Sequence, residues 1–217
     1  MNADVRVCTN AMGRKMREWT TTGINAVIVD EAGQDHEPGT LVATVTSSRH
    51  VIYVGDHKQL PAVVKSMVNQ AQGRGTSHFQ RLMEDCAFPR VLLVKQHRMH
   101  PDIAAYPSAH FYRGTLISMT PLTENPRGYN FPSKSPVCFE QCRGAEEASG
   151  NNSFTNPIQA RRIVDIVAGL VRGGDIDAED IGILTPYARQ TQLIEKLLRQ
   201  AGQNVTVQTV DAAQGGE

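Results

Sequence analysis

Val27-Ile28-Val29 runs straight into Asp30-Glu31-Ala32-Gly33-Gln34, and Val51-Ile52-Tyr53-Val54 runs straight into Gly55-Asp56-His57-Lys58-Gln59-Leu60-Pro61. Each apolar, largely β-branched run stops abruptly at acidic or amide side chains. Such runs read as strands of a parallel sheet, buried on both faces. Open α/β sheets bind ligands outside the carboxyl ends of their strands, where these polar groups fall. Two adjacent carboxylates there suit a magnesium nucleotide: one holds the metal or its water, and the other orients an attacking water. A lone apolar run ending in Asp-Glu serves equally well as a plain strand terminus. The second run, ending in Gly-Asp-x-x-Gln-Leu-Pro, tips the reading toward a nucleoside triphosphatase.

The length of 217 residues fits one large domain or two smaller ones, and a hydrophobic fraction of 40% is enough for a core. Formal net charge is zero, so there is no global attraction to nucleic acid. Single strands are also gripped by local basic groups, hydroxyls and backbone amides, so a strand-binding function stays open. Arg14, Lys15 and Arg17 form one small basic cluster that reads as a solvated face. No apolar run reaches the length needed to cross a bilayer, and no secretory pattern follows Met1. Cys8, Cys86, Cys138 and Cys142 are scattered, and Cys138-x-x-x-Cys142 lacks the second ligand pair of a zinc site. The histidines show no metal-ligand spacing either. Reduced thiols in an intracellular protein are the expectation.

The coarse order is strand, loop, strand, helix, strand, long loop, strand, helix, strand, helix, strand. Ser77 is placed to cap a short helix carrying Phe79, Leu82 and Met83, which ends before Phe88-Pro89. Val91-Leu92-Leu93-Val94 then starts a new sheet, which sets a domain boundary near residue 89. Asn156-Pro157 opens a helix with a cap residue followed by proline. Ile163, Ile166, Val167, Leu170 and Val171 recur along it at helical spacing, and Gly173-Gly174 stops it. Leu193, Ile194, Leu197 and Leu198 do the same for the next helix, which Gly202 ends. Residues 118–155 form a long connection with one short strand near Val137-Cys138-Phe139.

Further stretches make the resemblance specific. They are Gln96-His97-Arg98-Met99-His100-Pro101 with Tyr106-Pro107-Ser108 and Tyr112, Leu184-Thr185-Pro186-Tyr187 with Gln190, and Val207-Gln208-Thr209-Val210-Asp211-Ala212-Ala213-Gln214-Gly215-Gly216-Glu217. With the two strand-loop runs and Val5-Arg6-Val7-Cys8-Thr9, these resemble the ordered motifs Ic to V of superfamily 1 helicases of the up-frameshift (nonsense-mediated decay) type. The resemblance implies an α/β, P-loop NTPase (RecA-like) fold with parallel sheets. It further implies the C-terminal part of a first RecA-like domain at 1–88 and most of a second at 89–217.

It also implies ATP and Mg2+ as ligands, single-stranded RNA or DNA as partner, and no membrane. Asp30 then coordinates magnesium through water and Glu31 is the base that polarises the attacking water. Gln34 links the nucleotide loops, and Gln59 senses the γ-phosphate, since a neutral amide donates to a phosphate oxygen and loses that bond on hydrolysis. Asp56 shapes its turn. Arg98 resembles an arginine finger in cis, a permanently charged fork matched to phosphate oxygens. His97, Gly215 and Glu217 fall at nucleotide-facing positions, and Thr9, Thr185 and Thr209 at hydroxyl positions that contact strand phosphates.

There are two departures from the family pattern. His97 stands where tyrosine lies against the base, and Ala213 where an aromatic residue precedes Gln-Gly. No Gly-x-x-x-x-Gly-Lys-Ser/Thr occurs: Lys65-Ser66 and Lys134-Ser135 lack the glycines, and Gly73-x-Gly75 lacks the lysine. No segment resembles the arginine-bearing motif VI. Two readings therefore stand: a segment of an ATP-dependent helicase that translocates on single strands, or a non-catalytic helicase-derived remnant or interaction module.

Overall fold

The computed structural model describes residues 5–13, 15, 24–44, 49–86, 88–120, 135–148, 153–174 and 176–214. The chain divides into two compact units, Met1–Leu92 and Leu93–Glu217. In the first, a 3₁₀ turn (Asn10–Met12) precedes strand β1 (Ala26–Val29), helix α1 (Glu37–Thr44), strand β2 (His50–Tyr53), helix α2 (Met67–Ala71) and helix α3 (His78–Glu84). β1 and β2 pair in parallel from Ala26↔His50 to Val29↔Tyr53.

Parallel neighbours cannot be joined by a tight turn and need a crossover. α1 is that crossover, in a stretch where the sequence reading placed only a loop. Its first turn carries Glu37 and Pro38, which suit a helix start. Ala43 lies against the 3₁₀ segment so closely that a Cβ on Gly13 would meet the Ala43 Cα at 2.8 Å. Val29, Ala32 and Phe79 form the core of this unit, with Val27, Tyr53 and Met83 packed around them. Ser77 caps α3 as expected, its hydroxyl accepting from the Gln80 N–H at 3.0 Å. Arg81 of α3 holds Glu37 of α1, with Nε donating to the two carboxylate oxygens at 3.0 and 3.2 Å.

The second unit contains β3 (Lys95–Gln96), α4 (Pro101–Phe111), β4 (Ile117–Ser118), β5 (Glu147–Ala148), β6 (Phe154–Thr155), α5 (Pro157–Arg172), a 3₁₀ turn (Ala178–Asp180), β7 (Gly182–Thr185), α6 (Ala188–Gln200), β8 (Thr206–Thr209) and α7 (Val210–Ala213). β3 and β4 are parallel, β5 and β6 antiparallel, and β7 and β8 parallel in the register Gly182↔Thr206 to Thr185↔Thr209. The core is Ala160 and Val167 of α5, Ile194 and Leu198 of α6, and Val207 of β8. Ile163, Val171, Leu193 and Leu197 pack around them, so the two helical stripes read from the sequence meet each other. Asn156 caps α5 through its side-chain oxygen, which accepts from Gln159 N–H at 3.0 Å.

Several expectations need correction. Val91–Val94 is not a strand. The ladder begins at Lys95, and Val91 and Leu93 are 90% and 83% exposed. Val5–Cys8 and Val137–Phe139 likewise make no ladder; the strand pair in the long connection is β5 with β6, further on. β-branched composition favours extended backbone, yet a strand exists only where a partner strand lies alongside. The coarse order also lacks α4, which forms with Pro107 inside it. Nor are the parallel strands buried on both faces: Ile28, Ile52 and Leu184 are 66%, 51% and 58% exposed. Among the described residues each sheet has two strands. No described helix is long and apolar enough to cross a membrane.

Candidate functional site

At the carboxyl ends of β1 and β2 the two following loops are joined backbone to backbone. Val54 N–H donates to the Val29 carbonyl at 2.8 Å, and Ala32 N–H donates to the Val54 carbonyl at 2.9 Å. A Cβ on Gly55 would meet the Ala32 nitrogen at 2.8 Å, and one on Gly33 would meet the Asp56 carbonyl oxygen at 2.8 Å. Both glycines are therefore required by close approach rather than by dihedral freedom. The Asp-Glu-Ala-Gly and Gly-Asp stretches thus form one platform.

On that platform Asp30 and Glu31 are exposed side by side. Glu31 has φ 48°, a left-handed conformation that a non-glycine residue adopts at an energetic cost. The turn is closed by Gln34 N–H donating to the Glu31 carbonyl at 2.9 Å. Gln34 Nε2 donates to Glu31 Oε2 at 2.8 Å, and Asp30 Oδ1 accepts from the Glu31 N–H at 3.0 Å. From β2, Asp56 Oδ1 accepts from Lys58 N–H at 2.9 Å and Asp56 Oδ2 from Gln59 Nε2 at 3.2 Å. Asp56 shapes its turn, and it also orients the Gln59 amide. Glu84 of α3 anchors the far side of this loop: Lys58 Nζ lies 3.2 Å and His57 Nε2 3.3 Å from Glu84 Oε1. Hydrogen bonds from Gln80 and Lys58 hold the Glu84 carboxyl below its ordinary range.

The hard carboxylate oxygens of Asp30 and Glu31 fit magnesium. Among the described residues no group of three or more His, Cys, Asp or Glu gathers as a ligand set. A cation here would complete its shell with water and phosphate, as magnesium characteristically does.

In the second unit, Gln96 organises the loop that carries His97 and Arg98, a role the sequence reading did not assign. Its Oε1 accepts from Arg98 N–H at 3.1 Å and Met99 N–H at 2.7 Å. Its Nε2 donates to the Met99 carbonyl and to Ser118 Oγ of β4, both at 2.7 Å. One half-buried carboxamide thereby serves both ends of the turn, with His97 and Arg98 exposed on it. The signal was available: a glutamine ending a β-strand just before a turn satisfies backbone donors and acceptors together.

The three threonines differ. Thr9 is exposed. Thr185 and Thr209 stand opposite each other at the ends of β7 and β8. Thr185 is only 6% exposed, and its hydroxyl accepts from the Tyr187 N–H at 3.5 Å. The half-buried Thr209 hydroxyl caps α7 by accepting from Ala212 N–H at 3.2 Å. Gln190 is buried and clamps the Asn156 backbone, accepting from its N–H at 2.8 Å and donating to its carbonyl at 3.2 Å. Gly215 and Glu217 lie outside the described residues.

In the first unit, Thr9 and Glu31 open on one groove of about 640 Å³. Asn10 and Asp35 line it too, joined by an Asn10 Nδ2 to Asp35 Oδ2 hydrogen bond of 2.7 Å.

The comparisons with known proteins cover both units. One AAA domain family profile matches residues 1–67 and another matches residues 74–217. The regulator of nonsense transcripts 1 homolog of Neurospora crassa is 32% identical over 100% of this chain, which covers 21% of that protein. The ATP-dependent helicase upf1 of Schizosaccharomyces pombe is 34% identical over 97% of the chain and is covered for 24% of its length. The 3'-5' exoribonuclease HELZ2 of Mus musculus is 35% identical over 89% of the chain and is covered for 7%. The chain therefore spans a quarter or less of each of these relatives. Motifs, the two AAA domain profiles and the relatives agree: the chain belongs to the AAA-domain family, within its up-frameshift-type superfamily 1 helicases.

Proposed function

We propose that this chain supplies the hydrolytic carboxylates, the phosphate-sensing amide and the arginine finger of an ATP-dependent helicase that translocates on single-stranded RNA or DNA. The observation that carries the reading is the joined platform after β1 and β2, which presents Asp30, Glu31, Gln34 and Gln59 together. Asp30 would hold a magnesium ion, through water. When bound, that ion supplies positive charge against the phosphate oxygens and leaving group. Glu31 accepts a proton from the attacking water, and the Gln34 amide holds its carboxylate in place. The strained φ of Glu31 supports a functional rather than a packing role. Gln59, held by Asp56, donates to the terminal phosphate. Arg98 adds the permanent charge that stabilises the transferring group. His97 lies against the base, and Thr9 contacts the single strand, with Thr209 beside it in function.

The test is Glu31→Gln in the full-length gene product. It keeps the metal and phosphate contacts while removing the acceptor for the water's proton, so ATP binding survives and hydrolysis is lost. Strand-stimulated turnover near the parent level in Glu31→Gln would overturn the proposal.

A further inference from the structure

We propose that the Asn10–Asp35 hydrogen bond is a positioning latch that couples occupancy of the Thr9 segment by a single strand to the geometry of the Glu31 carboxylate. This rests on the reading of Glu31 as the base and Thr9 as a strand contact. Every link is a peptide bond or a hydrogen bond of the structure. Thr9 precedes Asn10, whose Nδ2 donates to Asp35 Oδ2 at 2.7 Å. Asp35 follows Gln34, whose Nε2 donates to Glu31 Oε2 at 2.8 Å. The latch joins residues 25 apart in sequence, so nothing local in the chain accounts for it.

The Asp35 carboxylate also packs against the first turn of α1: a Cβ on Gly39 would meet its two oxygens at 2.5 and 2.6 Å, so a side chain at residue 39 would displace the carboxylate from its place beside Asn10. The 3₁₀ segment that begins at Asn10 is itself pressed onto the end of the same helix at Gly13 and Ala43. Both ends of the latch therefore pack against one helix, α1. A displacement of Thr9 by a bound strand is transmitted to Asp35 rather than dissipated. Because Asp35 and Gln34 are consecutive in a tight turn, the displacement changes the hold of Gln34 on Glu31. Neither Asn10 nor Asp35 is assigned a contact with nucleotide or strand, so both act through their neighbours.

Coupling through a chain of contacts is established only by perturbing both ends of one link. In the full-length gene product, Asn10→Asp sets two carboxylates against each other and breaks the latch. The expected result is a fall of about fivefold or more in the ratio of strand-stimulated to basal ATP hydrolysis, the lower end of ordinary coupling strengths. Basal hydrolysis and affinity for a single-stranded oligonucleotide stay within about twofold of the parent, since allosteric coupling acts on the linkage and not on either site alone. Adding Asp35→Asn to Asn10→Asp reverses donor and acceptor and restores the ratio, a rescue that a merely structural role would not give. Asn10→Leu, which loses the donor without adding charge, serves where Asn10→Asp fails to fold, and it lowers the ratio in the same way. An unchanged ratio in the folded single variants overturns the latch, as does a basal rate falling in proportion with the stimulated one. Glu31→Gln in parallel separates the two claims: hydrolysis surviving there removes the functional reading itself. Hydrolysis lost in Glu31→Gln with an unmoved ratio in Asn10→Asp removes the latch alone.

Discussion

At the scale of single residues, the loop before α4 shows how one neutral side chain can set the position of a charged one. Gln96 makes four hydrogen bonds with one carboxamide, and Arg98 takes its backbone position from two consecutive N–H groups held by Gln96 Oε1. Leucine at this position keeps the volume and loses every one of those bonds. In the full-length protein Gln96→Leu is expected to lower kcat for ATP by about 10²-fold, the scale of an arginine misplaced by an ångström. Steady-state hydrolysis and nucleotide titration check it, with nucleotide affinity moving far less than kcat. Arg98→Ala is expected to cost more, roughly 10³-fold or above, because the charge itself is gone. A double variant no worse than Arg98→Ala would show that the glutamine acts through the arginine. The neighbouring His97 offers a smaller ring to a purine than tyrosine does. His97→Tyr is expected to favour ATP over non-adenine triphosphates by about 1 kcal/mol, read as the ratio of their dissociation constants. Equal selectivity in both proteins would mean that residue 97 does not meet the base.

Between elements, close approach and buried polar contacts decide what the sheets can carry. Gly55→Ala would push a methyl group to 2.8 Å from the Ala32 nitrogen. Relief requires the loops after β1 and β2 to separate, at a cost of about 1–3 kcal/mol typical of overpacking. Denaturant unfolding should register that loss, and ATP hydrolysis should fall with it. Acid acts on the same unit through α3. The Tyr53 hydroxyl and His78 Nδ1 lie 3.1 Å apart, and burial, outweighing the opposing attraction of Glu37 and joined by repulsion from Arg81, pushes the His78 pKa below its ordinary 6.5. Glu37 is held below its ordinary 4.5, chiefly by its hydrogen bond from Arg81. A depressed folded pKa means that the unfolded chain takes up protons first in both cases, so stability falls as pH drops. The histidine contribution begins to be lost near its unfolded value of 6.5 and the glutamate contribution near 4.5. Melting temperature measured from pH 7.5 to 5 should decline, and His78→Phe should flatten the upper part of that decline. A profile equally steep in His78→Phe would place its origin elsewhere. The capped helices and their stripes were legible because Ser77, Asn156 and the residues around Val167 and Ile194 carry their signals within a turn or two of chain. The site loops were legible because apolar runs stop at them. α1, the latch at Asp35 and the sheet pairing were not, because each depends on residues far off in sequence. Val91–Val94 shows the limit clearly: it has a strand-like composition, yet among the described residues its only tie to β4 is the Val94 carbonyl accepting from Ile117 N–H at 2.8 Å, and the ladder begins at Lys95.

For the whole molecule, the expected outcome is that these 217 residues, purified alone, bind ATP weakly and do not hydrolyse it. Hydrolysis needs the β- and γ-phosphates held by a lysine and a nest of backbone N–H groups, and no Gly-x-x-x-x-Gly-Lys-Ser/Thr occurs in this sequence. Asp30 and Glu31 would then meet a triphosphate with little opposing positive charge, and like-charge repulsion would weaken binding as well as turnover. The apolar side chains left exposed on the sheets, Ile28, Ile52 and Leu184 among them, add a tendency to associate with other strands or chains. Phosphate release measured with and without single-stranded RNA and DNA, alongside light scattering, tests both parts. Background turnover from a contaminating ATPase would persist in Glu31→Gln. Turnover that survives purification and disappears in Glu31→Gln would instead show that this chain assembles a complete phosphate site from residues that carry no recognisable signature of one.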